Sequence, residues 1–180
     1  ADGAGSAERA GEGAECALHA GMAALEAGLA AGLPTDQEAW ETLLTEAFSQ
    51  ARQAVVELAE RENQPLRDFS TTLTLALAGP EWLVTGQIGD GVVVAQTETG
   101  ELFTATEPQH GEYAGETFFL TMENALDLVA GRVYPRGVRA LAALTDGLLR
   151  LALTLPGNQP HAPFFTPLIA FCAATTDPAA

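Results

Sequence analysis

The amino-acid sequence predicts an α+β domain with helices packed on antiparallel sheet, and three observations carry this. The first third places apolar residues at spacings of three and four, the helical period. From Phe69 the pattern changes to polar–apolar alternation, the period of a half-buried strand. The candidate strands are joined by a few residues each, too short for the crossover that parallel pairing needs.

Asp2 to Gly13 holds four glycines among small and charged residues and reads as a loop. Ala14 to Leu33 reads as a helix whose inner face carries Leu18, Met22, Leu25 and Leu29, with Gly32 and Pro34 ending it. Thr35-Asp36-Gln37-Glu38 forms a capping box: the Thr hydroxyl accepts from the third helical amide and Glu38 reaches back. The helix it starts has an apolar stripe of Trp40, Leu43, Leu44, Ala47, Phe48, Ala51, Val55 and Leu58, opposite a Glu-rich face. Asn63-Gln64-Pro65 stops it. Such a helix must lie on something flat, and the strands downstream are the natural partner.

Strands are expected at Ser70–Leu77, Trp82–Gly89, Val92–Gln96 and Leu102–Ala105, with turns at Gly79-Pro80-Glu81, Asp90-Gly91 and Glu98-Thr99-Gly100. Phe118-Phe119-Leu120 reads as a further strand and Val138–Leu144 as a buried one. Leu148–Leu155 reads as a short helix or turn, and Pro163–Thr176 as an amphipathic helix.

Composition narrows the function. The chain has 180 residues, one domain's worth, and is 47% hydrophobic, enough for a core. Its net charge of −16 argues against a nucleic-acid binder and against docking on anionic membrane. All eight basic residues are Arg, so lysine chemistry such as Schiff bases and P-loop clamps is excluded. A phosphorylated substrate would need positive charge at the site, for which a divalent metal is the obvious source. Cys16 and Cys172 have no ligand spacing and read as two buried thiols in a reducing, cytoplasmic setting. No apolar run approaches the length of a membrane span, and the N-terminus is not a secretory signal.

Three Asp-Gly pairs stand out: Asp2-Gly3, Asp90-Gly91 and Asp146-Gly147. Asp-Gly is good turn chemistry, and a hairpin turn explains Asp90-Gly91 unaided. An acid after the apolar run Leu141-Ala142-Ala143-Leu144 must instead be solvated, paired or metal-bound. Taken together, the three are candidate hard oxygen ligands for Mg²⁺ or Mn²⁺, brought to one end of a sheet from distant segments. His19, His110 and His161 are scattered without ligand spacing, and Ser6 has no His partner. Trp40 and Trp82 fit core positions, and Glu107–Glu116 reads as a surface loop.

Asp2-Gly3-Ala4-Gly5-Ser6, Phe69-Ser70-Thr71-Thr72-Leu73, Ile88-Gly89-Asp90-Gly91 and Leu144-Thr145-Asp146-Gly147-Leu148 resemble, in order, the motifs of the metal-dependent protein phosphatases. These are the PPM or type-2C serine/threonine phosphatases, and the variant resembles their bacterial branch. The resemblance covers nearly the whole chain. It implies an αββα sandwich of two antiparallel sheets flanked by helices. It implies catalytic roles for Asp2 and Asp146, with Asp2 bridging two metal ions, the Gly3 carbonyl binding one and Asp146 ligating the second. Asp90 matches the acid linked to a third, weaker metal site in some members. Ser70, Thr71 and Thr72 correspond to the supporting strand. The implied reaction is hydrolysis of phosphoserine or phosphothreonine esters in a phosphoprotein by a metal-activated bridging water.

The chain departs from the family pattern at both ends. The acidic segment and strand that precede the first Asp-Gly in the family are not in residues 1–180, and neither is the family's phosphate-binding Arg. After Asp146 the only acid is Asp177, with no strand following to match the late Asp-bearing one. The resemblance therefore implies a single phosphatase domain over 1–180 that lacks the N-terminal strand and the C-terminal Asp-bearing strand. Little activity is expected of the chain alone. The alternative is a catalytically dead phosphatase-like domain with a regulatory or binding role. An unrelated α+β binding domain is the third reading.

Overall fold

A computed structural model describes residues 1–111 and 117–175. Two helices come first. α1 (Ala10–Ala31) begins four residues before the expected position, within the stretch read as a loop. α2 (Gln37–Arg61) follows, and its N-cap is Asp36, not Thr35: the Asp36 carboxylate accepts from the Ala39 amide at 2.9 Å. Aspartate at this position satisfies an orphan amide and also places negative charge at the positive end of the helix.

The face that α1 buries keeps Leu25 of the expected set, with Leu29 half-buried, but departs from it at Leu18 and Met22. Gly13, Ala17, Gly21 and Leu25 are buried, whereas Leu18 and Met22 are about 40% exposed. The cause is close approach. A Cβ on Gly13 would lie only 2.1 Å from the Phe69 carbonyl oxygen, so the helix needs small residues where it meets the chain beneath. α2 buries the expected stripe, Trp40, Leu44, Ala47, Phe48, Ala51, Val55 and Leu58.

The strands are β1 (Asp2–Gly3), β2 (Thr71–Ala78), β3 (Leu83–Ile88), β4 (Val92–Gln96), β5 (Leu102–Thr104), β6 (Ala130–Tyr134) and β7 (Ala140–Leu144). They form a four-stranded sheet in the order β1-β2-β3-β6 and a three-stranded sheet in the order β5-β4-β7, with every pairing antiparallel. Beyond β7 come α3 (Leu149–Ala152), a two-stranded ribbon of β8 (Leu153–Thr154) and β9 (Gln159–Pro160), and α4 (Ala162–Ala174). Thr176, the expected end of the last helix, lies outside the described residues.

Two expected strand assignments need correction, and one strand is additional. Phe118-Phe119-Leu120 is not a strand; Leu120 is buried and its amide donates to the Thr71 carbonyl at 2.8 Å, a single tie to β2. β6 was not anticipated, because Ala130-Gly131-Arg132 is exposed and carries no alternating pattern. β7 is an edge strand with Leu141 exposed, not a buried strand.

The layers follow from which faces are apolar. Phe48, Val55 and Leu25 of the helices pack with Phe69, Leu73, Leu75 and Ile88. Between the sheets, Leu83 of β3 meets Val93 and Ala95 of β4. Val92 and Val94, on the other side of β4, pack with Phe165 of α4. The result is helices, sheet, sheet, helix. β3 is buried at every position, so it lacks the alternation of a solvent-facing strand. Cys16 is half-buried and Cys172 is exposed, so the two thiols are not both interior. Among the described residues no helix is long and apolar enough to cross a membrane.

Candidate active site

The topology brings one end of each sheet together. β1 pairs with the start of β2, Asp2 opposite Thr72. β2 pairs with β3 so that Leu73 faces Ile88, which sets the β3–β4 turn beside the same end. β4 pairs with β7 so that Val92 faces Leu144, and the chain leaves β7 toward Asp146 next to that turn. Asp2, Gly3, Asp90 and Asp146 consequently line one cleft of about 370 Å³, together with Thr72, Thr117 and Phe119. Each acid belongs to a different segment, and strand pairing within each sheet, with the β3–β4 turn that joins the two sheets, accounts for their meeting.

Asp2 is held through its backbone. Its amide donates to Thr72 Oγ1 at 3.2 Å, and its carbonyl accepts from Thr71 Oγ1 at 3.0 Å. The next residues are fixed by the Ala4 amide, which donates to the Ser70 carbonyl at 2.9 Å. Gly3 must be glycine, since a Cβ there would sit 2.6 Å from the backbone of Ala10 in the first turn of α1. Arg9 closes this loop. Its amide donates to the Asp68 carbonyl, and its guanidinium lies over the Phe69 ring at 4.8 Å and binds Glu12 and Glu62. Those two carboxylates raise the Arg9 pKa, the hydrogen bond to Glu12 being the larger cause.

Asp90 occupies the tip of the β3–β4 turn and is half-buried. Gly89 before it has φ of +116°, and a Cβ there would meet Thr72 Cγ2 at 2.4 Å. Both facts require glycine and press the turn onto β2. The Asp90 carboxylate accepts from Thr117 Oγ1 at 2.7 Å. Thr117 escaped the sequence reading because a lone threonine carries no pattern. Asp146 opens a one-turn 3-10 helix, Asp146–Leu148, and is exposed.

The donor set is chemically suited to a hard divalent cation: three carboxylates and the Gly3 carbonyl. The carboxylates do not, however, close into a cluster. Among the described residues no three His, Cys, Asp or Glu side chains form a group that could hold an ion. No described residue lining the cleft is basic. His19, His110 and His161 are all exposed and do not line it, and Ser6 is exposed. Asp177, and residues 112–116 of the loop read at Glu107–Glu116, lie outside the described residues.

Comparison with known proteins agrees with the motifs. A sequence profile described as Protein phosphatase 2C matches residues 1–180. Serine/threonine-protein phosphatase 3 of Escherichia coli (strain K12) is 36% identical over 176 residues, which is 98% of this chain and 68% of that protein. A crystal structure of a stage II sporulation E family protein from Thermanaerovibrio acidaminovorans shares the fold, with a TM-score of 0.59 at 21% identity. That match covers 97% of this chain and 87% of the other. Ordered motifs, a whole-length profile match and a relative above 30% identity lead to one statement: the chain belongs to the protein phosphatase 2C family.

Proposed function

We propose that this cleft serves the hydrolysis of phosphoserine and phosphothreonine monoesters in protein substrates, with Mg²⁺ or Mn²⁺ as the cofactor. The observation that carries the reading is the convergence of Asp2, Asp90 and Asp146, from three distant segments, on one cleft. Family membership and the name of the Escherichia coli relative, a serine/threonine-protein phosphatase, support the reaction class.

In this reading Asp2 would serve both ions of a two-ion site, the Gly3 carbonyl would bind one and Asp146 the second, and Asp90 would serve a third, weaker position. The ions would supply Lewis acidity, charge neutralisation for the phosphoryl group and a lowered pKa for water. The chain's own residues set the geometry. Thr71 and Thr72 fix the Asp2 backbone, Gly3 lets α1 approach it, and Thr117 aims the Asp90 carboxylate.

One observation favours a second reading, a phosphatase-like domain that binds without turning over. The described carboxylates do not gather into a group that could hold an ion. For the same reason the 180-residue chain alone is expected to turn over slowly, because a hydrolytic ion pair needs several anionic ligands.

The experiment is phosphate release from a phosphothreonine peptide, with and without Mn²⁺, for this chain and for Asp146→Asn. Mn²⁺-dependent release that Asp146→Asn abolishes, with the fold intact by circular dichroism, supports the hydrolase. Peptide binding without release supports the second reading. Release that Asp146→Asn leaves unchanged refutes the assigned site.

A further inference from the structure

Gln87 is a primary amide in an apolar place. It lies on the face of β3 that packs against the second sheet, and it is 1% exposed. Its neighbours on that face are Leu83 and Thr85, and the opposing strand offers Val93 and Ala95. An amide buried there is unfavourable unless it is hydrogen-bonded.

Its nitrogen is fully engaged. Nε2 donates to the carbonyls of Gly89, Gly91 and Glu107, each at 2.9 Å. Two N–H groups serve three acceptors, so one proton is shared. Oε1 is buried with no partner among the described residues. The reversed amide would set Oε1 lone pairs against three carbonyl oxygens, so the observed orientation is the one the surroundings tolerate. Two of the three acceptors, Gly89 and Gly91, flank Asp90 directly.

A second glutamine completes the grip. The Gln109 amide donates to the Gly89 carbonyl at 3.0 Å, and Gln109 Oε1 accepts from the Gly89 amide at 2.8 Å. Gln109 Nε2 in turn donates to the Leu128 carbonyl. Strand pairing ends at Ile88 on one side and resumes at Val92 on the other, so residues 89–91 have no ladder bonds of their own. The side-chain amides of Gln87 and Gln109, with the Gln109 backbone amide, take the place of the ladder there.

We propose that Gln87 is a positioning residue: its side-chain amide fixes the backbone on both sides of Asp90 and so sets where that carboxylate stands in the cleft. The functional consequence rests on the reading of Asp90 as a cation ligand given above. The bracing itself does not, and it can be measured without metal.

The test has two parts. In the unsubstituted, metal-free chain, NMR couplings across hydrogen bonds should connect the Gln87 side-chain nitrogen to the carbonyl carbons of Gly89, Gly91 or Glu107. In Gln87→Met, which keeps length and removes the donor, the Gly89 and Gln109 amides should exchange hydrogen about 10-fold faster while those of β3 and β4 keep their rates. Missing couplings overturn the proposal. So does unchanged exchange at the turn, or equal acceleration throughout both strands.

Mn²⁺ titration followed by water-proton relaxation then reads the consequence. Gln87→Met should weaken Mn²⁺ binding about 10-fold, at the low end of what loss of a supporting partner does to a metal site. Asp90→Asn should weaken it at least as much, and the double variant no further. If Asp90→Asn leaves binding unchanged, the reading of Asp90 fails and the exchange result alone decides the brace. If Asp90→Asn weakens binding and Gln87→Met does not, the positioning role is overturned and the ligand reading stands.

Discussion

Phe48 and Gly86 offer a sharp test of how α2 is seated on the first sheet. Phe48 is completely buried, and a Cβ added to Gly86 would lie 2.7 Å from Phe48 Cε2 and 3.1 Å from Leu44 Cδ2. The ring thus fills the notch that the glycine leaves in β3. Phe48→Ala should destabilise by about 3–5 kcal/mol, through lost apolar burial and the cavity left behind. Gly86→Ala alone should cost about 1–3 kcal/mol, because the buried ring has no free space to swing into. With Phe48 already truncated, the added methyl enters the vacated space. Alanine is also the better strand residue than glycine by about 0.5–1 kcal/mol. Gly86→Ala in that background should therefore be neutral or slightly stabilising, a coupling of about 1–3 kcal/mol. Urea unfolding of the four proteins, followed by tryptophan fluorescence and far-ultraviolet circular dichroism, measures it. Additivity within about 0.5 kcal/mol would show that ring and glycine do not meet, and that the seating of α2 is wrong.

Three further expectations concern local chemistry. Asp36→Ala should lower stability by about 0.5–2 kcal/mol while Thr35→Ala changes it little, since Asp36 caps α2; equal effects in thermal melts would contradict that cap. Cys172, exposed, should react with a maleimide much faster than Cys16, whose thiol pKa is pushed up by burial, and mass spectrometry of partially labelled protein tells them apart. The Glu12 carboxyl is held below its ordinary value, first by its hydrogen bond to Arg9. The stability this pair contributes is present above the ordinary carboxylate pKa and is lost as pH falls through the lowered one. Carbon-13 titration should show the lowered value, and Arg9→Met should return it to normal.

The parts legible in the sequence share one property: their signal is local and repeats. The stripe on α2 recurs over its whole length and matches the buried face from Trp40 to Leu58, with Leu43 half-buried at its edge. β4 was read to the residue, because Val92–Gln96 lies between two turn signals. The inner face of α1 was misread because hydrophobicity ranks Leu18 and Met22 above Gly13 and Gly21. Closeness to Phe69 selects for smallness at Gly13 instead, and nothing local announces that neighbour. β6 escaped because an exposed edge strand has no need to alternate. The cleft divides in the same way. Its acids are marked by Asp-Gly pairs and by motif order. Thr117 and Gln87 are single residues without a repeating signal: Thr117 takes its meaning from a carboxylate 27 positions away, and Gln87 from carbonyls 2, 4 and 20 positions away that only the folded turn gathers around it.

Charge joins the cleft to the composition. The arginines have other engagements: Arg9 with Glu12 and Glu62, Arg61 with Glu62, Arg67 with Asp68, Arg132 with Glu107, and Arg136 over the Phe103 ring. Arg52 donates to the Met122 carbonyl, and Arg139 and Arg150 line two other grooves beside α4. None of the described residues lining the cleft is basic, while three are carboxylates. A phosphate dianion approaching these acids meets charge of its own sign. At about 4 Å, each unit pair near a protein surface repels by roughly 4 kcal/mol. The same field attracts a divalent cation, and a bound cation reverses the sign that the next ligand meets. In a chain of net charge −16 with no lysine, the cleft is therefore built to receive positive charge first. In the proposed reading, affinity for a phosphorylated substrate then depends on that charge being in place.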